Sequence, residues 1–107
     1  KTQTFTRSDS YVTLQRHNIS IAFISCIGLD IERGASEGFE EQAGFKEILV
    51  QLAKQVVLMV DSSKLNTCSE YFFAELKDLT HIITDSGASA ECVAALRSHG
   101  CKVTLAQ

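Results

Sequence analysis

Several features that are common in other proteins are missing from this sequence of 107 residues. Proline is absent, although average usage of about 5% would give about five prolines, and no linker or low-complexity tract interrupts the chain. The longest apolar run, residues 19–29, contains two serines. It is far shorter than the roughly 20 residues that a membrane-spanning helix needs. These absences predict one soluble domain, or part of one, without a membrane segment.

Charge of either sign is also scarce. Ten Lys and Arg residues stand against thirteen Asp and Glu residues, and charged residues make up 21% of the chain. The apolar fraction of 45% is too high, and the net charge of −3 too small, for intrinsic disorder. Since the balance is not basic, we expect any nucleic-acid binding to reside outside this piece.

The four cysteines, Cys26, Cys68, Cys92 and Cys101, form no C-x-x-C pair and have no histidine at ligand spacing. We therefore expect buried free thiols in a reducing cytoplasm, and no metal site. The phosphate-binding patterns G-x-G-x-x-G and G-x-x-x-x-G-K-[ST] are absent as well. Nothing in the sequence indicates a cofactor.

Hydrophobic patterning predicts alternating strands and helices. Residues 19–26 are almost continuously apolar and β-branched, which is typical of a strand covered on both faces by helices, and a polar, glycine-containing loop is expected over residues 28–38. Helices are predicted over residues 8–17, 40–54 and 89–98, and further strands over residues 56–60, 81–84 and 102–105. This order predicts an α/β fold with a layered, mostly parallel sheet flanked by helices.

Three polar clusters directly follow predicted strands, and ligands of such sheets bind at the carboxyl ends of strands. The clusters are Gly28-Leu29-Asp30, Asp61-Ser62-Ser63-Lys64 and Asp85-Ser86-Gly87. The second has the clearest chemistry, because hydroxyls and backbone N–H groups bind phosphate or sugar oxygens and Lys64 supplies a positive charge. The alternative interpretation is that Ser62 caps a helical turn while Lys64 is merely solvated.

Two further residues have simple structural explanations. Lys46 lies in an acidic stretch, and from spacing alone its neighbours Glu41 and Glu47 account for its position. His81 begins a predicted strand, where we expect a partly buried, hydrogen-bonded histidine rather than a catalytic base.

A particular succession of motifs runs through the chain. Ala22-Phe23-Ile24 and Gly28-Leu29-Asp30 come first, then Lys46 on a predicted helix, and finally Asp61-Ser62-Ser63-Lys64 and Ile83-Thr84-Asp85. In combination these motifs resemble the effector-binding domain of DeoR-type transcriptional repressors, from about residue 5 to the end of the chain.

The resemblance implies a cytoplasmic sensor of a phosphorylated sugar or related metabolite, which self-associates. Residues 1–107 would be the C-terminal part of one effector-binding domain. Its fold would be that of ribose-5-phosphate isomerase and the coenzyme A transferases. Operator DNA would be bound by a winged helix-turn-helix upstream and not by this piece.

The same resemblance implies a ligand site. Lys64 and Lys46 match the family's lysines after the strand and on the helix, and Asp30 and Asp61 match positions that line the cleft. Together with Ser63 and Gly28 from the polar clusters, these residues form the predicted ligand-binding set.

Two other functions fit parts of the pattern less well. The first is a phosphosugar isomerase or transferase that uses Asp30 and Lys64. In the related isomerases a glutamate base precedes the helix lysine, whereas Phe45 stands here and cannot accept a proton. We therefore predict no enzyme activity and no catalytic residue. The second is a phosphoacceptor receiver domain with Asp61 after its strand, but the acidic pair and later lysine of such domains are not in place.

Overall fold

A computed structural model of the chain describes residues 19–106, so the helix predicted over residues 8–17 lies outside the described residues. The strands are β1 (Ile19–Ser25), β2 (Gly28–Asp30), β3 (Gly34–Glu37), β4 (Ala53–Met59), β5 (Tyr71–Ala74), β6 (His81–Asp85) and β7 (Lys102–Ala106). The helices are α1 (Glu40–Leu52) and α2 (Ala90–Ser98), with short 3₁₀ turns at Ser62–Lys64 and Leu76–Asp78.

The main sheet contains four parallel strands in the order β1-β4-β6-β7. Leu58 of β4 lies between two paired strands: it pairs with Ile24 of β1 on one side and with Ile82 of β6 on the other. The predicted α/β fold with a mainly parallel sheet and flanking helices is confirmed. Since parallel strands point the same way, the loops after β1, β4 and β6 meet at one edge of this sheet.

One face of the main sheet forms the core. Side chains in matching register on this face are buried, and α1 and α2 contribute further buried residues to the same cluster. The sheet residues are Ala22, Ile24, Val56, Leu58, Ile82 and Val103, and the helix residues include Ala43, Val93 and Leu96. Each fully buried Val, Leu or Ile side chain of this kind stabilises the fold by about 1.5–3 kcal/mol.

The opposite face of β1 is open to solvent. Ile21 is 42% exposed and Phe23 58% exposed, while the alternate residues Ala22 and Ile24 are buried. Successive side chains of a strand point to opposite faces, so this alternation leaves one apolar face uncovered within residues 19–106. The prediction that β1 is covered on both faces is therefore wrong for the described part of the chain.

A second, smaller sheet of antiparallel strands in the order β2-β3-β5 replaces most of the loop that was predicted over residues 28–38. That prediction is wrong because glycine marks tight hairpin turns as well as loops. Gly34 adopts a φ of +99°, and Asp30 accepts hydrogen bonds from the backbone N–H groups of Glu32 (3.1 Å) and Arg33 (2.9 Å), which closes the hairpin.

The helix ends follow the sequence signals. Ser89 Oγ accepts a hydrogen bond from the backbone N–H of Cys92 (3.1 Å) at the start of α2, and Gly100, with a φ of +90°, follows its end. Helix α1 ends at Leu52, and β4 begins at the next residue, Ala53. Within the described range, neither helix has the length and apolar character required to cross a bilayer.

Candidate functional site

The turn after β4 is the clearest polar feature at the carboxyl edge of the main sheet. We call residues 61–64 the 61–64 turn. The backbone N–H of Lys64 donates to Asp61 O (2.8 Å), and Ser63 Oγ donates to Asp61 Oδ2 (3.2 Å). Thr67 Oγ1 donates to Lys64 O (2.7 Å). No side chain caps the 3₁₀ turn, so the part of the alternative interpretation in which Ser62 acts as its cap is wrong. The part in which Lys64 is solvated is not contradicted, because this residue is exposed.

Lys64 ends this turn with an exposed side chain. Its Nζ has no hydrogen-bond or ion-pair partner among residues 19–106. An ammonium group on an ordered backbone, with its donors unused, can bind an anion without first breaking a protein contact.

Asp85, at the end of β6, joins the 61–64 turn to the next loop. Its Oδ2 accepts a hydrogen bond from the backbone N–H of Ser62 (2.9 Å), and its Oδ1 accepts one from the backbone N–H of Gly87 (2.8 Å). The hydrogen bonds from Ser62, followed by that from Gly87, hold the pKa of Asp85 well below its usual range. The sequence singled out the cluster containing Asp85 but gave no sign that it binds the neighbouring turn.

Lys46 lies in a different polar environment, at the end of β1. Its Nζ donates to Ser25 O (2.7 Å) and forms an ion pair with Glu37, and it lies 5.5 Å from the ring centroid of Phe73. The Lys46 and Glu37 side chains are only 16% and 6% exposed. Spacing pointed to Glu41 or Glu47 as neighbours of this lysine, but it could not identify Glu37 on β3 as its ion-pair partner.

The remaining predicted residues, Asp30 and Gly28, also have structural roles. The carboxylate of Asp30 closes the β2–β3 hairpin, as described above. Gly28 is buried, and its carbonyl accepts a hydrogen bond from Ser36 Oγ (3.3 Å), which in turn accepts one from the backbone N–H of Ser69 (2.8 Å).

The contacts place the predicted residues in two groups, and β2, which carries Gly28 and Asp30, pairs through Leu29 with Leu65 beside the 61–64 turn. Asp61, Ser63 and Lys64 share one turn, whereas Lys46 belongs to the cluster with Glu37 and Ser25. A role for any of them in ligand binding stays a prediction.

The cysteines and His81 give no sign of catalytic chemistry. Cys26, Cys92 and Cys101 are buried free thiols, as expected, whereas Cys68 is exposed, so that prediction is wrong for Cys68. Burial raises the pKa of the Cys26 thiol to about 11, which keeps it protonated at neutral pH. His81 is half-buried, and its Nε2 lies 2.6 Å from Thr104 Oγ1, as predicted for a hydrogen-bonded histidine. Residues 19–106 contain no cluster of His, Cys, Asp or Glu that could hold a metal.

Comparison with known proteins identifies relatives over most of the chain. It is 36% identical over 92 residues to the HTH-type transcriptional regulator YulB of Bacillus subtilis, covering 86% of this chain and 36% of that protein. It is 34% identical over 90 residues to the HTH-type transcriptional regulator GlpR of Haloferax volcanii, covering 84% of this chain and 35% of that protein. It is 36% identical over 72 residues to the HTH-type transcriptional repressor GlcR of Bacillus subtilis, covering 67% of this chain and 28% of that protein.

The class that these relatives define is that of transcriptional regulators, with a sensing rather than a catalytic role for the shared region. The prediction that the chain is not an enzyme is confirmed. Residues 1–86 match the DeoR C terminal sensor domain, so the chain belongs to that family, and the resemblance found in the motifs is confirmed. The chain spans about a third of the length of the curated relatives that it matches.

Proposed function

We propose that this chain is the effector-sensing part of a DeoR-type transcriptional repressor, and that it binds a phosphorylated sugar or a related metabolite at the carboxyl edge of its main sheet. The family supports the sensing role. The location follows the general rule that ligands of parallel α/β sheets bind beyond the carboxyl ends of the strands.

The main support for the proposal is that the side chain of Lys64 is exposed and its charge is unpaired among the described residues. This lysine lies on a hydrogen-bonded turn at this edge, and no described residue neutralises its Nζ. Lys46, by contrast, already has a carboxylate partner. Lys64 is therefore the better candidate for the group that binds a phosphate oxygen, and Lys46 would contribute only if an effector displaced Glu37.

The carboxylate of Asp61 is suited to bind the sugar hydroxyls of such an effector. Sugar hydroxyls donate hydrogen bonds to carboxylates, whereas a phosphate group would be repelled by them. Asp61 and Ser63 are exposed beside Lys64, so one turn offers an amine for an anion and oxygen atoms for hydroxyls.

For the whole protein, we propose a winged helix-turn-helix upstream that binds operator DNA in the cytoplasm, and self-association through the sensor region. We also propose that the complete sensor has the fold of ribose-5-phosphate isomerase and the coenzyme A transferases. An effector can alter DNA binding only if it binds one conformation more tightly than another, and the contact with Lys64 would supply part of that difference.

The test uses the full-length protein and a panel of pentose and hexose monophosphates, with the unphosphorylated sugars and inorganic phosphate alongside. Binding is measured by calorimetry, and operator release by fluorescence anisotropy. We expect a phosphorylated sugar to bind and its unphosphorylated form to bind at least about tenfold more weakly, since a charged hydrogen bond contributes about 1.5–3 kcal/mol.

Lys64→Ala should weaken binding of that sugar phosphate while leaving operator binding intact in its absence. Lys54→Ala is the matched control, because Lys54 is also exposed but lies near the start of β4, away from the carboxyl edge. Equal affinities of the wild type, Lys64→Ala and Lys54→Ala variants would remove Lys64 from the site. If no sugar phosphate binds the wild type, the proposed effector class is wrong.

A further inference from the structure

Asp85 connects two loops that follow neighbouring strands. The 61–64 turn follows β4, and the loop containing Gly87 follows β6. One carboxylate oxygen of Asp85 accepts the N–H of Ser62 (2.9 Å) and the other accepts the N–H of Gly87 (2.8 Å). Each carboxylate oxygen of Asp85 therefore accepts a hydrogen bond from a backbone N–H group, one in each loop.

The two loops also approach each other closely. A Cβ atom placed on Gly87 would lie 2.7 Å from Ser62 Oγ and 2.9 Å from Asp85 Oδ1. Contacts this short do not occur for real Cβ atoms, so a side chain at residue 87 would displace the Ser62 hydroxyl, the Asp85 carboxylate or the loops that carry them. We call Asp85, Ser62 and Gly87 the loop clamp.

We propose that Asp85 is a positioning residue for the effector site: through the loop clamp it fixes the 61–64 turn so that Lys64 presents its ammonium group to the anion of the effector. This inference rests on the proposed function. It adds a residue that acts through backbone contacts and not by touching the effector.

The charge of Asp85 supports an indirect role. A carboxylate is a poor direct partner for a phosphate group, and this one is stabilised as an anion by two backbone N–H groups. A small displacement of a positioned charge weakens a directional contact without unfolding the surrounding sheet. The loop clamp can therefore affect affinity more than it affects stability.

The first test is a steric one. Gly87→Ala keeps the residues Asp85 and Lys64 but places a methyl group against Ser62 Oγ and Asp85 Oδ1. Because this disturbs the loop clamp, we expect it to weaken binding of the identified sugar phosphate by about tenfold. The double variant Ser62→Ala with Gly87→Ala removes the nearer of the two oxygen atoms that the new methyl group would meet, and Asp85 Oδ1 remains. It should bind more tightly than Gly87→Ala alone, although Ser62→Ala by itself brings no gain over the wild type. Ser86→Ala is the matched control, because Ser86 is exposed in the same loop.

The second test removes the carboxylate. Asp85→Asn retains one acceptor oxygen and loses the other, so we expect both weaker sugar phosphate binding and faster hydrogen exchange of the Ser62 or the Gly87 amide. Denaturation midpoints of all variants are measured in parallel. If Asp85→Asn does not fold, Gly87→Ala and its rescue by Ser62→Ala decide the question.

Three results separate the outcomes. Weaker binding by folded Gly87→Ala that Ser62→Ala partly restores supports the loop clamp. Wild-type affinity in both Gly87→Ala and Asp85→Asn overturns it, while the proposed function stands. Absence of any sugar phosphate binding by the wild type overturns both.

Discussion

The two lysines that the sequence placed in one ligand site have opposite surroundings. Lys46 is largely buried, forms an ion pair with Glu37 and donates to the carbonyl of Ser25. Lys64 is exposed on a turn, with its charge unpaired among the described residues. A buried, paired charge holds structure together, whereas an exposed, unpaired one is available to a ligand. The same residue type thus has two different expected effects when it is replaced.

The largest effect should come from removing the buried charge. Lys46→Ala leaves the Glu37 carboxylate buried without its partner, and breaking such a pair costs about 3–5 kcal/mol of unfolding free energy. Urea denaturation measures the loss, with Lys54→Ala as the exposed control. The double variant Lys46→Met with Glu37→Leu replaces both partners. If it regains much of the unfolding free energy, the unpaired carboxylate causes the loss. A loss below about 1 kcal/mol for Lys46→Ala would contradict the structural role.

A smaller effect is expected from the other partner. Glu37→Gln keeps an oxygen that accepts a hydrogen bond from Lys46 but removes the opposite charge, so the unfolding free energy should fall by about 1–2 kcal/mol. If Lys46 also contributes to effector binding, Glu37→Gln should tighten binding of the sugar phosphate, since the ammonium group is then freed from its carboxylate. Unchanged affinity in this variant would restrict Lys46 to its structural role.

Replacement of the exposed lysine should hardly alter stability. Lys64→Ala removes an exposed side chain that has no hydrogen-bond or ion-pair partner among residues 19–106, so we expect a change within about 0.5 kcal/mol in the same denaturation experiment. The turn itself is held by backbone bonds and by Ser63 and Thr67, which remain. A loss as large as that of Lys46→Ala would remove the contrast between the two lysines.

The last expected effect is confined to acidic pH and concerns the loop clamp. The pKa of Asp85 is lower in the folded protein than the usual value of about 3.9, so its contribution to stability is present above that value. It is lost as the pH falls below about 4, towards the lower pKa of the folded state. Denaturation midpoints between pH 5 and pH 2.5 should fall less steeply for Asp85→Asn than for the wild type. If the denaturation midpoints of the wild type and of Asp85→Asn fall equally with pH, Asp85 does not contribute to this pH dependence.

The main sheet was the part of the fold that the sequence could predict. Strands β1, β4 and β6 contain short apolar runs followed by polar clusters, and β7 follows α2 with alternating apolar residues. That pattern, with the intervening helices, suffices to predict a mostly parallel sheet. The small sheet could not be predicted in the same way. Strands β2 and β3 are three and four residues long, and Gly28 and Gly34 within them carry the signals of a loop.

The candidate site likewise has a part that the sequence predicts and a part that it does not. The position of the 61–64 turn follows from where β4 ends, so Lys64 could be singled out. The partner of Lys46 depends on how β3 folds back against α1, and the partner of Asp85 depends on the pairing of β4 with β6. Both are contacts between residues distant in sequence, which local patterns do not encode. The exposed Phe23 shows the same limit, because an apolar run does not reveal which of its faces is covered.

The direct junction of α1 and β4 has a mechanical consequence. Leu52 ends the helix and Ala53 begins the strand, and the N–H of Ala53 still donates to Leu49 O, so no flexible residue separates them. A tilt of the end of this helix against the strand must therefore break the hydrogen bond from the Ala53 N–H to Leu49 O or bend the chain at Ala53 itself.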